Sequence, residues 1–382
     1  MKAVNLDLVH TEHPLYAKLQ SMGMPANKTE QYRNFAIKPL LAQKYHFYNP
    51  EKSVPKEGEK LVITNGSVSE FPSGVQVRYE SDFVCDNAHY DVLYFYSHAV
   101  SVQTIYVEVT RESRFELEHI CNQAETFLPY RIVISTAKNI HVEIFETFRF
   151  DASEQSFVLY GLDAFVNTDT TLRWIRNASI NQAQAKLVGT HRFDVAREGA
   201  LELNTFDFGD ANALHLYKID LAEHAWSRAA HLLYANTQAR SGNIIAINHN
   251  EVYAKSAQEA RYILADEAVG IFDSKIRVDA GAQHSHAVQN SKAILLSPHA
   301  HMYAKPQLEI YIDELEASHG ATIGELDADA LFYLNSRGIE AEEARKILVL
   351  AFAQSLIDSI GSSHYVEKIN QAFEAAYYKK EQ

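Results

Sequence analysis

Apolar and polar residues alternate with a period of two through the middle of the chain. From about residue 61 to residue 320, short alternating runs are separated by turn formers such as Gly199 and the pair Gly242 and Asn243. The clearest runs cover residues 131–134, 140–144, 201–203, 217–221 and 275–278. No proline lies between Pro129 and Pro298, as expected if most backbone N–H groups there join sheet ladders. The pattern predicts many short strands, with one helical insert over residues 114–127.

The two ends of the chain have helical patterns. The spacing of Leu15, Leu19 and Met22 predicts a short helix near the start. Near the end, Asp327 is expected to cap a helix over residues 327–337, and two more helices follow. The middle one is expected to present one stripe, made of Ala344, Ile347, Leu348, Ala351 and Phe352. The sequence thus predicts an N-terminal helical region over 1–60, a β core over 61–324 and a C-terminal helical region over 325–382.

Strand patterns alone leave three architectures open for the core. Many short strands with few helices between them fit a sandwich, a barrel or a stacked solenoid. No repeat is visible in the sequence, which slightly disfavours a regular solenoid.

Composition narrows the class of protein. Lysine and arginine number 35 against 49 aspartates and glutamates, a net charge of −14, which argues against nucleic acid or an anionic membrane as the main partner. Cys85 and Cys121 are the only cysteines and form no CxxC motif. Residues 1–9 lack a signal-peptide core, and no apolar run is long enough for a membrane span. We therefore expect a cytoplasmic protein.

Common catalytic motifs are absent from the sequence. There is no GxxxxGK[ST], GxGxxG or HExxH, so we expect no ATPase activity of the chain's own and no catalytic residue. A solenoid could instead belong to a carbohydrate-active enzyme, which would need carboxylates along a groove. Nothing in one sequence groups the carboxylates, and that function remains the alternative.

Histidines occur in two close pairs, His284 with His286 and His299 with His301. On an extended strand, residues i and i+2 point to the same side, so each pair would place two imidazoles on one face. Imidazole binds iron, zinc, copper and nickel. The ordinary expectation is that both pairs lie on the solvated exterior.

The segments KPQLEIY (305–311), SHGATIG (318–324) and DALFYLNSRGI (329–339) resemble the SufB/SufD family of iron–sulfur cluster assembly scaffold proteins, and in particular its SufD branch. A second likeness lies near the start. The spacing of its residues is similar to an N-terminal signature of SufD-like proteins, and these residues are Pro25, Lys28, Glu30, Tyr32 and Arg33.

The resemblance implies a mainly β fold, a right-handed parallel β-helix with helices on both sides. It implies an accessory scaffold subunit of a SufBCD complex, paired with a SufB-like subunit and a SufC-like ATPase. A homodimeric scaffold without a SufB-like partner stays open as an alternative. No tightly bound cofactor is expected, only a transient Fe–S cluster or iron in the assembled complex.

The same resemblance singles out His319 as the residue near the nascent cluster, where its imidazole would ligate iron or move a proton. Many relatives have a cysteine just before this histidine, whereas this chain has Glu316 and Ala317. The departure disfavours a sulfur-handling role. The helical tail is expected to contact the ATPase, through the candidates Leu331, Phe332, Ile347, Leu350 and Phe352.

Overall fold

The computed structural model describes residues 1–26, 29–51, 53–80, 90–151, 155–180 and 185–378. Lys28 of the N-terminal signature and Cys85 lie outside the described residues. In the described part of the chain, no helix is long and apolar enough to cross a membrane.

The fold is dominated by strands. In chain order they are β1 (Lys2–Ala3), β2 (Lys44–Phe47), β3 (Lys56–Gly58), β4 (Leu61–Thr64), β5 (Ser67–Pro72), β6 (Val75–Glu80), β7 (Thr104–Val109), β8 (Ser113–Cys121), β9 (Thr126–Thr136), β10 (His141–Phe150), β11 (Phe157–Val166), β12 (Thr171–Ile180), β13 (Lys186–Val195), β14 (Ala200–Gly209), β15 (Asn212–Leu221), β16 (Trp226–Ala235), β17 (Arg240–His249), β18 (Lys255–Leu264), β19 (Val269–Val278), β20 (Ser285–Leu295), β21 (His301–Ile310) and β22 (Leu315–Gly324). The helices are α1 (Tyr16–Met22), α2 (Ile37–Ala42), α3 (Val92–Val100), α4 (Ala328–Ser336), α5 (Ala341–Ile357) and α6 (Ser363–Tyr378).

Successive strands alternate between two long sheets. Sheet one contains the odd-numbered strands from β7 to β21, and sheet two contains the even-numbered strands from β8 to β22. Within each sheet these strands pair in parallel and almost in register, so that Thr171 lies beside Ala200 and Ala200 beside Trp226. Each coil takes about 30 residues, within the range of solenoid repeats. The expected parallel β-helix is confirmed, with about seven turns.

Six coils turn a corner through a residue with positive φ just before the sheet-two strands β10, β12, β14, β16, β18 and β20. These residues are not glycines; they are Asn139, Asp169, Glu198, His224, Tyr253 and His284. Backbone hydrogen bonds join corners of adjacent coils, for example from His224 N to Val252 O at 3.1 Å and from Tyr253 N to Gln283 O at 2.9 Å. Because the residue type at the corner varies among Asn, Asp, Glu, His and Tyr, the repeat leaves no simple trace in the sequence.

Two local predictions are wrong. The segment expected to be a helical insert, residues 114–127, is strand β8 followed by the start of β9, and the helix lies earlier, at α3. Gly242 and Asn243 are not a turn but lie inside β17. A Cβ at Gly242 would collide with the backbone carbonyl of Ile271 on the neighbouring strand, so this glycine allows close approach of two strands.

Helix α3 packs on the outer face of sheet one over a buried ion pair. Arg131 and Asp163 are both fully buried and joined by a salt bridge. From α3, the Tyr94 hydroxyl donates to Asp163 at 2.6 Å, and Ser97 accepts from Arg131 at 2.5 Å. A Cβ at Gly161 would overlap the Arg131 guanidinium, so glycine provides the space that the arginine needs.

The space between the two sheets, here called the lumen, is apolar at most positions but contains a buried polar network. Its members are His119, Tyr130, Glu146, Trp174, Arg176, His191, Asp207, His215, Tyr217 and His231. Glu146 accepts from Trp174 at 2.8 Å and lies 3.1 Å from the Nε2 of His119. Arg176 donates to both carboxylate oxygens of Asp207, at 2.9 and 2.8 Å.

The C-terminal helices cover the outer face of sheet two. The buried residues of α5 are Ala344, Val349, Ala353, Leu356 and Ile357. The predicted stripe is therefore wrong in detail, since Ala351 is exposed and Ile347, Leu348 and Phe352 are half-buried. The cap at Asp327 is as expected: its carboxylate accepts from the backbone N–H groups of Asp329 and Ala330, both at 2.9 Å.

Candidate functional site

The β-helix ends in an uncovered coil. In the described part of the chain, β21 pairs only with β19 and β22 pairs only with β20, so each strand leaves one edge unpaired. Residues of β22 are exposed or half-buried along its whole length. Unpaired strand edges are templates for pairing with another chain. This open end, defined as β21 and β22, is therefore a candidate docking surface.

His319 lies on the lumen side of the open end. It is in register with buried Gln289 of β20, which is itself in register with buried Gln258 of β18. The remaining lumen-side residues of the two strands are apolar: Met302, Ala304, Pro306, Leu308, Ile310, Leu315, Ala317, Ala321 and Ile323. Among the described residues on this side of β21 and β22, His319 is thus the single ionisable group, and it is exposed.

The N-terminal signature segment reaches the open end from outside. The Glu30 carboxylate forms a salt bridge with Lys305 of β21, and the hydrogen bond from this lysine lowers the pKa of Glu30. Tyr32 is fully buried and donates to Asp91, which in turn caps α3 by accepting from Leu93 N at 2.7 Å. The two segments that carry the resemblance therefore touch each other.

The histidine pairs do not form a shared imidazole face. His284 has a φ of 60° and is a corner residue, with its ring stacked on Tyr253 at 4.8 Å between centroids. His286 begins the exposed side of β20, where its Nε2 lies 3.6 Å from Glu316. His299 lies in the turn before β21, and His301 is the first residue of that strand. Because His286 and His301 lie in different sheets, the two pairs do not meet.

Cys121, the cysteine among the described residues, is expected to be unreactive. Cys121 is buried at the end of β8, and desolvation raises the pKa of its thiol to about 12. A thiol that stays protonated is a poor nucleophile and a poor metal ligand. Among the described residues, no group of three or more histidine, cysteine, aspartate or glutamate side chains could hold a metal ion. A metal site that included His319 would therefore need ligands from outside the described residues.

Of the five tail candidates, four are half-buried and one is exposed. Leu350 and Phe352 are half-buried against the helices and sheet two, and the Arg261 guanidinium lies 5.2 Å above the Phe352 ring. Phe332 on α4 is 75% exposed. Leu331 and Ile347 are half-buried. Helix α4, which buries none of its residues, therefore presents the most accessible apolar surface of the tail.

Sequence reasoning missed two residues that shape this end of the molecule. Asp91 was not recognised as a cap, although its position before the apolar run 92–96 is a cap signal. Nothing in the sequence marks Gln289, because its position beside a residue of the next coil depends on how the coils stack. Only the register of the coils shows that this residue is His319.

Comparison with known proteins points to one family. Residues 119–352 match the family model described as SUF system FeS cluster assembly, SufBD core domain. The chain is 34% identical over 114 residues to the iron–sulfur cluster assembly protein SufD of Escherichia coli, which covers 30% of this chain and 27% of that protein. It is 39% identical over 116 residues to the SufBD family protein slr0076 of Synechocystis, covering 30% and 25% of the two chains. A third relative is SufD of Bacillus subtilis, 34% identical over 98 residues, or 26% of this chain and 22% of that protein.

These alignments with curated relatives span about a quarter of the relatives' own length. The family model is broader, because it extends from β8 through the open end and into α5. It includes the coils that carry the lumen network as well as the strand that carries His319. Since this model covers more than half of the chain, the protein belongs to the SufBD core domain family of the SUF system for FeS cluster assembly.

Proposed function

We propose that this chain is a SufD-like accessory scaffold subunit of a SufBCD-type complex, working in the cytoplasm, and that it takes part in iron–sulfur cluster assembly. The observation that carries the proposal is the open end of the β-helix. It combines unpaired strand edges, an apolar lumen side and a single imidazole at His319. A SufB-like subunit of similar fold would cover these edges by strand pairing.

In this arrangement the nascent cluster, or the iron delivered to it, is cargo rather than a resident cofactor. His319 would contribute one nitrogen ligand, and the partner would contribute the thiolates that such clusters need. The buried, protonated Cys121 of this chain supports that division of roles. Nothing in the comparisons favours the alternative of a carbohydrate-active enzyme, because the matched family and the relatives are described as iron–sulfur cluster assembly proteins.

A His319→Ala variant tests the proposed role of the open end. Because the side chain is exposed, its loss should change the free energy of unfolding by no more than about 0.5 kcal/mol. Cluster formation by the assembled complex should fall by about tenfold or more, as expected for loss of an interaction at a metal site. Iron and sulfide content, with thermal unfolding of the free chain, measure the two effects.

The matched control is His301→Ala, which removes an exposed histidine from the other strand of the same coil, on its outer side. This control should assemble clusters as the parent does. Equal cluster yields from the His319 variant, the His301 variant and the parent would contradict the proposal. A stable homodimer formed through the open end without a SufB-like chain would assign the same surface to a second copy instead.

The partner ATPase is proposed to bind the C-terminal helices, with Phe332 of α4 as the anchor. Its exposure on a helix that buries none of its own residues is what an interface aromatic should show before assembly. A Phe332→Ala variant should weaken capture of the ATPase by about 2 kcal/mol, a typical value for an aromatic hot spot. Calorimetric titration of the chain with the ATPase measures this change.

Phe47→Ala provides the control, because Phe47 is also an exposed phenylalanine but lies on β2, far along the chain from the tail. Point variants are preferred to removal of the tail. The helices cover an apolar face of sheet two that includes Phe145, Ile175 and Phe206, and truncation would expose it. Unchanged ATPase affinity in the Phe332 variant would exclude α4 as the docking site.

A further inference from the structure

A groove lies on the outer face of sheet one, beneath the N-terminal part of the chain. It has a volume of about 770 Å³, which is within the range of small-molecule pockets in proteins. Its floor contains Leu216 of β15 and Ile244 and Ala246 of β17. Its roof is formed by the C-terminal end of α1, by residues 29–32 of the N-terminal signature and by the first residues of α3. The groove therefore separates the N-terminal segment from the sheet at this point.

The floor of the groove is apolar sheet surface that the N-terminal segment leaves partly uncovered. On the same face of sheet one, Leu214 and Ile271 are buried in the apolar cluster that joins the N-terminal segment to the sheet. By contrast, Ile244 and Ala246 are only half-buried. Removing apolar surface from water is the main favourable term in the binding of apolar groups. The floor therefore favours a ligand with an apolar body.

Lysines surround this floor. Among the described residues, those that line the groove are Lys18, Lys218, Lys275 and Lys305. Lys18 is half-buried, with its Nζ 3.7 Å from the centre of the Phe95 ring. No carboxylate of the described residues lies within salt-bridge distance of this ammonium group. The lysines contrast with the net charge of −14 of the whole chain and favour a ligand that carries an acid group.

The carboxylates among the described lining residues already have partners. Glu30 pairs with Lys305, and Asp91 caps α3. Asp273 accepts from the side-chain nitrogen of Gln307 at 3.0 Å, and desolvation raises the pKa of this aspartate. These acids therefore leave the Lys18 charge without a competing carboxylate.

We propose that the groove binds a small anionic molecule with an apolar body. The apolar body would lie on Ile244 and Ala246, and the acid group would lie among the lysines, with Lys18 as its main partner. A carboxylate and a phosphate can both accept charge-assisted hydrogen bonds from an ammonium group, so either acid group fits. The proposal is independent of the proposed function, because it concerns the outer face of sheet one and not the lumen side of the open end.

Isothermal titration calorimetry of the full chain with octanoate tests the proposal. Octanoate should bind at one site, about fivefold more tightly than the neutral 1-octanol, which is the upper value for one partly exposed ion pair. Inorganic phosphate has no apolar body and should not bind. Octyl phosphate, in a separate titration, shows which of the two acid groups binds more tightly. Absence of octanoate binding, or equal affinities for octanoate and 1-octanol, would overturn the proposal.

Two variants locate the site. Lys18→Met should weaken octanoate binding by about fivefold and leave the affinity for 1-octanol unchanged. Ala246→Trp fills the groove above its floor and should abolish binding of both molecules, with circular dichroism as the check on folding. Lys255→Met is the control, because Lys255 is an exposed lysine of β18 in sheet two and lies outside the groove.

The control variant should bind octanoate as the parent does. Equal octanoate affinities in the parent and in Lys18→Met, or equal losses in the Lys18 and Lys255 variants, would show that the groove lysines do not hold the acid group and would overturn the proposal. None of these results depends on cluster assembly. A failure here therefore leaves the proposed function standing, and normal cluster formation by a His319→Ala complex would leave the groove unaffected.

Discussion

Replacing Asp207 with alanine should lower the free energy of unfolding by about 3–5 kcal/mol, the usual cost of leaving one member of a buried ion pair without its partner. Arg176 is 1% exposed, and both of its hydrogen bonds to a carboxylate go to Asp207. Burial raises the pKa of Asp207 even with Arg176 beside it. Chemical denaturation of the free chain measures the loss, and Asp207→Asn, which retains an acceptor oxygen, should give a smaller one.

The matched comparison is Asp279→Ala. Asp279 pairs with Arg277 at 2.6 Å, but both side chains are partly exposed, at 34% and 44%. A pair of this kind is worth at most about 1 kcal/mol. Losses of similar size at the two positions would show that the lumen pair is hydrated and does not behave as a buried charge.

Acidification should destabilise the protein because burial lowers the pKa of five histidines. Desolvation lowers the pKa of His231 to about 3 and that of His249 to about 4, and it lowers those of His98, His191 and His215 well below the ordinary value. Below pH of about 6.5 the unfolded chain binds protons at these residues and the folded chain does not. Stability is therefore lost as the pH falls below that value.

At pH 5.5 each of these histidines should cost about 1.4 kcal/mol, or about 7 kcal/mol for the five together. Asp91, Asp207 and Asp273 act in the opposite direction, since burial raises their pKa values, but they are three groups against five. Melting temperatures measured from pH 7.5 down to 5.5 test the expectation. His231→Gln should reduce the slope by about one proton, whereas His301→Gln, at an exposed site, should not. A melting temperature that does not change across this range would contradict it.

The sequence contains enough information for the class of fold but not for its details. Alternating runs such as 140–144 and 275–278 correctly predict strands, because one face of each is buried. The solenoid is not visible as a repeat, since the corner residues differ from coil to coil and strand pairing is set by register rather than by residue type. The family resemblance, not the periodicity, selects the β-helix among the three architectures.

The candidate site could also be predicted from the sequence only in part. His319 is found by its resemblance to a known segment, and the structure places it on the lumen side of the last coil. Each histidine pair would share a face only on an extended strand, and the positive φ at His284 and the turn at His299 rule that out. Gln289 and the lumen network depend on contacts between residues about 30 positions apart, which no local pattern encodes.

The uncovered last coil also has a consequence for how the molecule frays. In a solenoid each coil is stabilised only by its neighbours, so a terminal coil without a capping element is the first to open. Among the described residues, no element caps the coil that carries His319, and β22 has a neighbouring strand on one side only. Covering it with a partner supplies the missing cap, and the binding energy is then spent partly on ordering this strand. The histidine would accordingly be held in place most firmly when the complex is complete, so that local order and assembly are coupled.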